Sequence, residues 1–218
     1  MLNYTSVLKR LVSLFVLLAC VVVPLRQVEA APKKVMYFTF DDGPGAIYTP
    51  QILDILRRER VHATFFVLGN RCKELPGVVR RIQNEGHELG SHGYDHRNLA
   101  SAPFPIVKSE ITLADTEIEH VVGRKPIYYR PPFGLIDRRE IPAIRRIGHK
   151  VSFWTVDSVD WSATSASTIV QNVERAAGPG SVVLFHDGLS TSRFTIQALP
   201  ILIRYYRDRG YEFRTLQN

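Results

Sequence analysis

Short apolar runs alternate with longer segments of helical spacing from residue 34 to the end of the chain. "KVMYFTF" at 34–40 has the β-branched and aromatic content of a strand. Thr49-Pro50 then opens a segment in which Ile52, Leu53, Ile55 and Leu56 fall on one helical face. The same reading gives strands at "ATFFVLG" (63–69), "HELGS" (87–91), "IYYR" (127–130), "KVSFWTV" (150–156), "SVVLF" (181–185) and "YEFRT" (211–215). Helices are predicted between them: one opened by Pro76 and stopped by Gly86, one over 104–122 closed by Gly123, and others near 138–147, 165–177 and 193–208. Strict alternation of strand and helix favours parallel strands covered by helices. No strand is followed by a G-x-G-x-x-G fingerprint, which removes the commonest reason for a dinucleotide-binding sheet. Of the two such arrangements, an open doubly wound sheet and a closed barrel, the barrel is favoured: a single α/β domain, a parallel (β/α) barrel of about seven strands.

The first 30 residues depart from this pattern. Lys9 and Arg10 precede the apolar run "LVSLFVLLACVVVPL" at 11–25, and small residues at Val28 and Ala30 follow, which is the layout of a secretory signal cut after Ala30. The run has 15 residues and includes Pro24, against the roughly 20 apolar residues a spanning helix needs. Export is the expectation, to an extracytoplasmic, secreted or cell-wall location, with 31–218 as the mature domain. An uncleaved membrane anchor through 11–25 is the alternative.

Composition narrows the class without deciding it. The 218 residues are 45% hydrophobic and 22% charged, ordinary globular usage that supplies a substantial core. Losing Lys9, Arg10, Arg26 and Glu29 with the signal leaves 25 basic and 20 acidic residues, a balance of +5. That modest excess suits peripheral association with an anionic cell wall or membrane, and equally simple solubility. No dense basic run with interleaved aromatics argues for nucleic acid, and a monomer is favoured. Cleavage after Ala30 leaves Cys72 as the mature chain's single cysteine, read as an unpaired structural thiol.

Polar clusters follow the first, third, fourth, fifth and sixth predicted strands: "DDGP" (41–44), "SHGYDH" (91–96), "RPPFG" (130–134), "DSVDW" (157–161) and "HDG" (186–188). In a parallel barrel all of these lie at one face, where such folds carry their sites. His92 and His96 can meet one ion, and a carboxylate from Asp41 or Asp42 would complete a two-His, one-carboxylate set. Side chains alternate along a strand, so one Asp of the pair would bind the ion while the other faced a bound water as proton acceptor. His186 is the candidate acid, oriented by Asp157 or Asp160. Arg130 could hold a carboxylate by a bidentate pair. His62, His87, His120 and His149 have no carboxylate cluster beside them in sequence and are read as structural or surface residues.

These five clusters, in this order, resemble the motifs of the polysaccharide deacetylases that share the NodB homology domain, carbohydrate esterase family 4. The resemblance covers residues 33–216 and implies a distorted (β/α) barrel. It also implies a catalytic base at Asp41 and metal ligands at Asp42, His92 and His96. Arg130 would steady Asp41, and the Phe133 N–H would help hold an oxyanion. Asp160 would tune His186 as acid, Trp161 would form part of the pocket wall, and Leu184 would line an acetyl pocket. One divalent metal ion is implied, zinc first, with cobalt, nickel or manganese also suited to nitrogen and oxygen ligands. The implied activity is removal of N-acetyl groups from amino sugars of a polysaccharide or oligosaccharide: peptidoglycan first, then chitin oligomers, with O-acetylated xylan third. Gly93 departs from the pattern, which usually has Ser or Thr there, and puts the rigidity of the metal loop in question. Two other readings compete. A glycosidase needs carboxylates roughly 5 to 9 Å apart across a glycosidic bond, which adjacent Asp residues on one ion would not supply. A wall-binding module would keep the fold without turnover.

Overall fold

The computed structural model describes residues 34–217. All seven predicted strand segments are present, the fifth as two short pieces, which gives eight strands. These are β1 Lys34–Gly43, β2 Thr64–Val67, β3 Glu88–Ser91, β4 Tyr128–Tyr129, β5 Lys150–Val151, β6 Val156–Asp157, β7 Val182–His186 and β8 Tyr211–Phe213. Seven α-helices connect them: α1 Tyr48–Glu59, α2 Gly69–Glu74, α3 Pro76–Asn84, α4 Phe104–Val122, α5 Ile141–Arg146, α6 Ala166–Ala176 and α7 Ser192–Arg207. The short α2 falls where the second predicted strand had been extended to Gly69.

The pairs are all parallel, in the order β5-β4-β3-β2-β1-β7-β6, with β8 against the first residues of β1. The sheet curls into an open barrel whose edges are β5 and β6. The "KVSFWTV" segment supplies both edges: Val151 pairs with β4 and Val156 with β7, so residues 152–155 cross the opening. A continuous strand there would need one partner along its whole length, and the opening offers none.

Two environments flank the sheet. Met36, Phe38 and Phe40 of β1 are fully buried against the helical layer, in a cluster that includes Ile52, Leu53, Ile55 and Leu56 of α1 and Leu199, Leu202 and Ile203 of α7. Each such side chain contributes roughly 1.5 to 3 kcal/mol when taken from water. Thr39 and Asp41 alternate with these and face the barrel interior, where Arg130 is fully buried beneath the ring of Phe66. Cys72 is buried in the helical core, and burial pushes its thiol pKa well up. No helix among the described residues is long and apolar enough to cross a membrane. The apolar run at 11–25 and the cut after Ala30 lie outside the described residues.

Candidate active site

At the end of β1, Asp41 is in register with Phe66 of β2 and His186 of β7, and a register shift follows between Asp41 and Gly43. Asp42, inside the shift, has φ 70°. A regular pleat would have sent its side chain to the face opposite Asp41. The left-handed backbone instead brings both carboxylates into one cleft, so alternation along the strand is not what separates the two residues. Asp42 Oδ1 lies 3.4 Å from His92 Nε2 and 3.1 Å from His96 Nε2, while Asp41 Oδ2 is 3.8 Å from His92 Nε2.

The donor atoms of Asp42, His92 and His96 all lie within 4.8 Å of one another. Asp42 Oδ1 is buried without a satisfactory hydrogen-bond donor. Burial would raise the Asp42 carboxyl, but contacts with His92 and His96, with the charges of His92 and His186, hold it well below the ordinary carboxylate range. His92 Nδ1 lies 2.7 Å from the Arg130 carbonyl oxygen, which fixes Nδ1 as the protonated nitrogen and leaves Nε2 aimed at the carboxylates. An orphaned carboxylate oxygen and two imidazole nitrogens form a donor set suited to a borderline divalent cation, so these residues fit the metal the resemblance implies.

Arg130 holds Asp41 through a single nitrogen. Its Nη1 donates to Asp41 Oδ1 at 2.8 Å and to Thr39 Oγ1 at 2.8 Å, and Nη2 donates to the Phe153 carbonyl at 3.2 Å. The bidentate fork expected from sequence is absent because the second nitrogen is spent on the segment that crosses the barrel opening. Asp41 keeps Oδ2 facing the Asp42, His92 and His96 group.

At the end of β7, Asp160 rather than Asp157 meets His186. Asp160 Oδ1 lies 2.7 Å from His186 Nδ1, and Oδ2 accepts from the His186 amide at 2.8 Å and from Thr195 Oγ1 at 2.7 Å. Asp157 accepts from the Val159 amide at 2.7 Å and shapes the turn, in which Val159 has φ 57°. Burial would lower the His186 pKa, but the hydrogen bond and charge of Asp160, with the nearby charges of Asp41 and Asp42, push it up to about 9. Its Nε2 is left for the cleft.

The cleft has a volume of about 700 Å³ and is lined by Asp41, Asp42, His92, His96, Phe133, Trp161, Leu184 and His186. Phe133 has φ 60°, and its half-exposed ring stands edge-on to His96 at 4.4 Å. Trp161 is half exposed at the rim, and Leu184 is buried in the floor. Leu68, Arg71, Trp154 and Leu189 also line the cleft and were not singled out from sequence. Leu68 and Arg71 follow β2, the strand end that carries no carboxylate or histidine cluster, so the polar signal that marked the other loops passed over it.

Gly93 has φ 81°, and a side chain there would meet nothing closer than Pro132 Cγ at 3.8 Å. Its loop is braced without a hydroxyl at position 93 itself: the Gly93 amide donates to Ser91 Oγ at 3.4 Å. Gly93 O accepts from the Gly69 amide, Tyr94 O from the Asn70 amide, and the buried Glu110 carboxylate accepts from the Tyr94 amide at 3.2 Å. His149 does have a carboxylate partner, in contrast to its sequence surroundings: its buried Nε2 lies 2.9 Å from Asp115 Oδ2 of α4. Asp115 precedes it by 34 residues, beyond the reach of local pattern.

A family model described as polysaccharide deacetylase matches residues 29–152. The chain is 37% identical over 179 residues to a peptidoglycan-N-acetylglucosamine deacetylase of Bacillus cereus, covering 82% of this chain and 65% of the relative, so it spans just under two thirds of that protein's length. It is 36% identical over 193 residues to a chitooligosaccharide deacetylase of Azorhizobium caulinodans, covering 83% of this chain and 92% of the relative. Among solved structures, a peptidoglycan N-acetylglucosamine deacetylase in complex with 4-naphthalen-1-yl-N-oxidanyl-benzamide superposes with a TM-score of 0.82 at 36% identity, covering 84% of this chain and 86% of that one.

Proposed function

The chain belongs to the polysaccharide deacetylase family, and from that premise we propose that it is a metal-dependent hydrolase that removes N-acetyl groups from amino sugars of a polysaccharide, peptidoglycan first and chitin-type oligomers second. One observation carries this reading. The Asp42, His92 and His96 group, the Arg130-held Asp41 and the Asp160-held His186 all converge on one cleft. A divalent ion held by Asp42, His92 and His96, zinc by preference, would polarise the acetamide carbonyl and lower the pKa of water.

Asp41 is the base. Oδ1 is fixed by Arg130, and Oδ2 accepts the proton of the water that attacks the carbonyl carbon. The carbon–nitrogen bond breaks only once the nitrogen is protonated, and His186 supplies that proton from Nε2 because Nδ1 is bound to Asp160. The products are acetate and a free amine. Phe133 offers its N–H to the oxyanion, Leu184 the wall against the acetyl methyl, and Trp161 an aromatic face for a sugar ring.

The test varies how much the leaving group needs a proton. His186→Ala should lose N-deacetylation of an N-acetylglucosamine oligomer by about 10²-fold or more, while hydrolysis of an activated aryl acetate, which leaves as a stable phenolate, falls far less. Equal loss on both substrates with metal still bound would remove His186 from the role of acid.

A further inference from the structure

Asp42 sits in a left-handed conformation, with φ 70°, which is uncommon outside glycine and persists where surrounding contacts enforce it. The enforcing contacts come from residues outside the proposed chemistry. Asp187, fully buried, donates its amide to the Asp41 carbonyl at 3.1 Å. Its Oδ2 accepts a short hydrogen bond from the Thr49 hydroxyl. The same Thr49 oxygen accepts from the Gly45 amide at 2.7 Å. The five-residue turn 41–45 is thus gripped at its first residue by the Asp187 main chain and at its last by the Asp187 side chain through Thr49. The carboxylate also fills the space at Gly43, where any Cβ would run into it. On the other side, the Asp42 carbonyl packs so closely on Gly188 that a Cβ there would strike it.

We infer that Asp187 and Thr49 are positioning residues that hold Asp42 in the geometry needed to share a cation with His92 and His96. The inference rests on the proposed metal centre. Neither residue lines the cleft. Thr49 lies on α1 and Asp187 at the end of β7, so the two tie the turn to separate elements. Removing the Thr49 hydroxyl frees Gly45 at one end of the turn and leaves the buried carboxylate without its donor.

The measurement is calorimetric titration of metal-free full-chain protein with Zn²⁺, alongside thermal melts without metal. Partners that orient a ligand typically account for 10- to 100-fold in metal affinity. Thr49→Val should therefore bind Zn²⁺ about 10-fold or more weakly while folded at the titration temperature, and Thr49→Ser, which keeps the hydroxyl, should bind within about threefold of wild type. If Thr49→Val does not fold, Asp187→Ala is titrated in its place, with the same expected loss. A folded Thr49→Val or Asp187→Ala that binds as tightly as wild type, or a Thr49→Ser as weak as Thr49→Val, overturns the inference. A wild-type protein that takes up no Zn²⁺ would instead overturn the metal centre itself.

Discussion

Asp41 and Asp42 are neighbours of the same type with unlike surroundings. Arg130 and its Thr39 contact anchor the first, and two imidazoles face the second. Asp42→Ala should lose bound metal and activity together, whereas Asp41→Asn should keep metal and lose about 10²- to 10⁴-fold in turnover; metal content and acetate release measured on the same preparations check this. Arg130→Met would strand the buried Asp41 charge and should cost about 3 to 5 kcal/mol of stability, read by urea unfolding. His186 gives a pH signature in the metal-free protein. Its folded pKa of about 9 lies above the ordinary 6.5, so the stabilisation is complete below about pH 6.5 and is lost as pH rises through 9. The amount is roughly 3 kcal/mol. Melting temperatures taken between pH 6 and 10 should show this decline in wild type and a flatter profile in Asp160→Asn. The candidate residues were legible because polar side chains at strand ends stand out against apolar runs. Spacing alone did not divide their labour: Asp157 and Asp160 look alike in sequence, the motif resemblance pointed to Asp160, and in the structure the choice depends on a turn at Val159 whose left-handed φ no residue preference announces.

The elements follow the hydrophobic period closely where apolar faces of strand and helix pack on each other, as in β1 and α1. They depart from it where an element serves the site. "KVSFWTV" reads as one strand, yet its centre spans the barrel opening, giving the Phe153 carbonyl to Arg130 and Trp154 to the cleft. Asp42, in the register shift at the end of β1, and His96, Phe133 and Val159, in loops after strand ends, all have left-handed backbones. Strain of this kind persists where surrounding contacts over-determine it. The loop of His92 and His96 gives a test of the Gly93 position. A serine there would have space but an unfavourable φ, so Gly93→Ser should lower stability by about 1 kcal/mol, seen as a lower urea midpoint at unchanged slope. Stability equal to or above wild type would show that a hydroxyl gained a partner worth the strain.

For the whole molecule, an open parallel barrel gathers five separate sequence clusters onto one cleft, and that gathering was the most legible property of the chain. Parallel topology places every strand's carboxyl end on the same face, so the fold class alone implied proximity. Long-range partners between elements, such as Thr49 of α1 with Asp187 after β7, were not legible because they join residues 138 positions apart. The export expectation has its own check: the mature protein should begin at Ala31, which intact mass would show, and a full-length species in the membrane fraction would favour the anchor. Deacetylation as the activity rests on which bond is broken. Incubated with peptidoglycan glycan strands or chitin oligomers, the metal-loaded protein should release acetate and free amine in equal amounts, without new reducing ends, and a chelator should stop it. Reducing ends appearing without acetate, or binding to the polymer with no acetate at all, would contradict it.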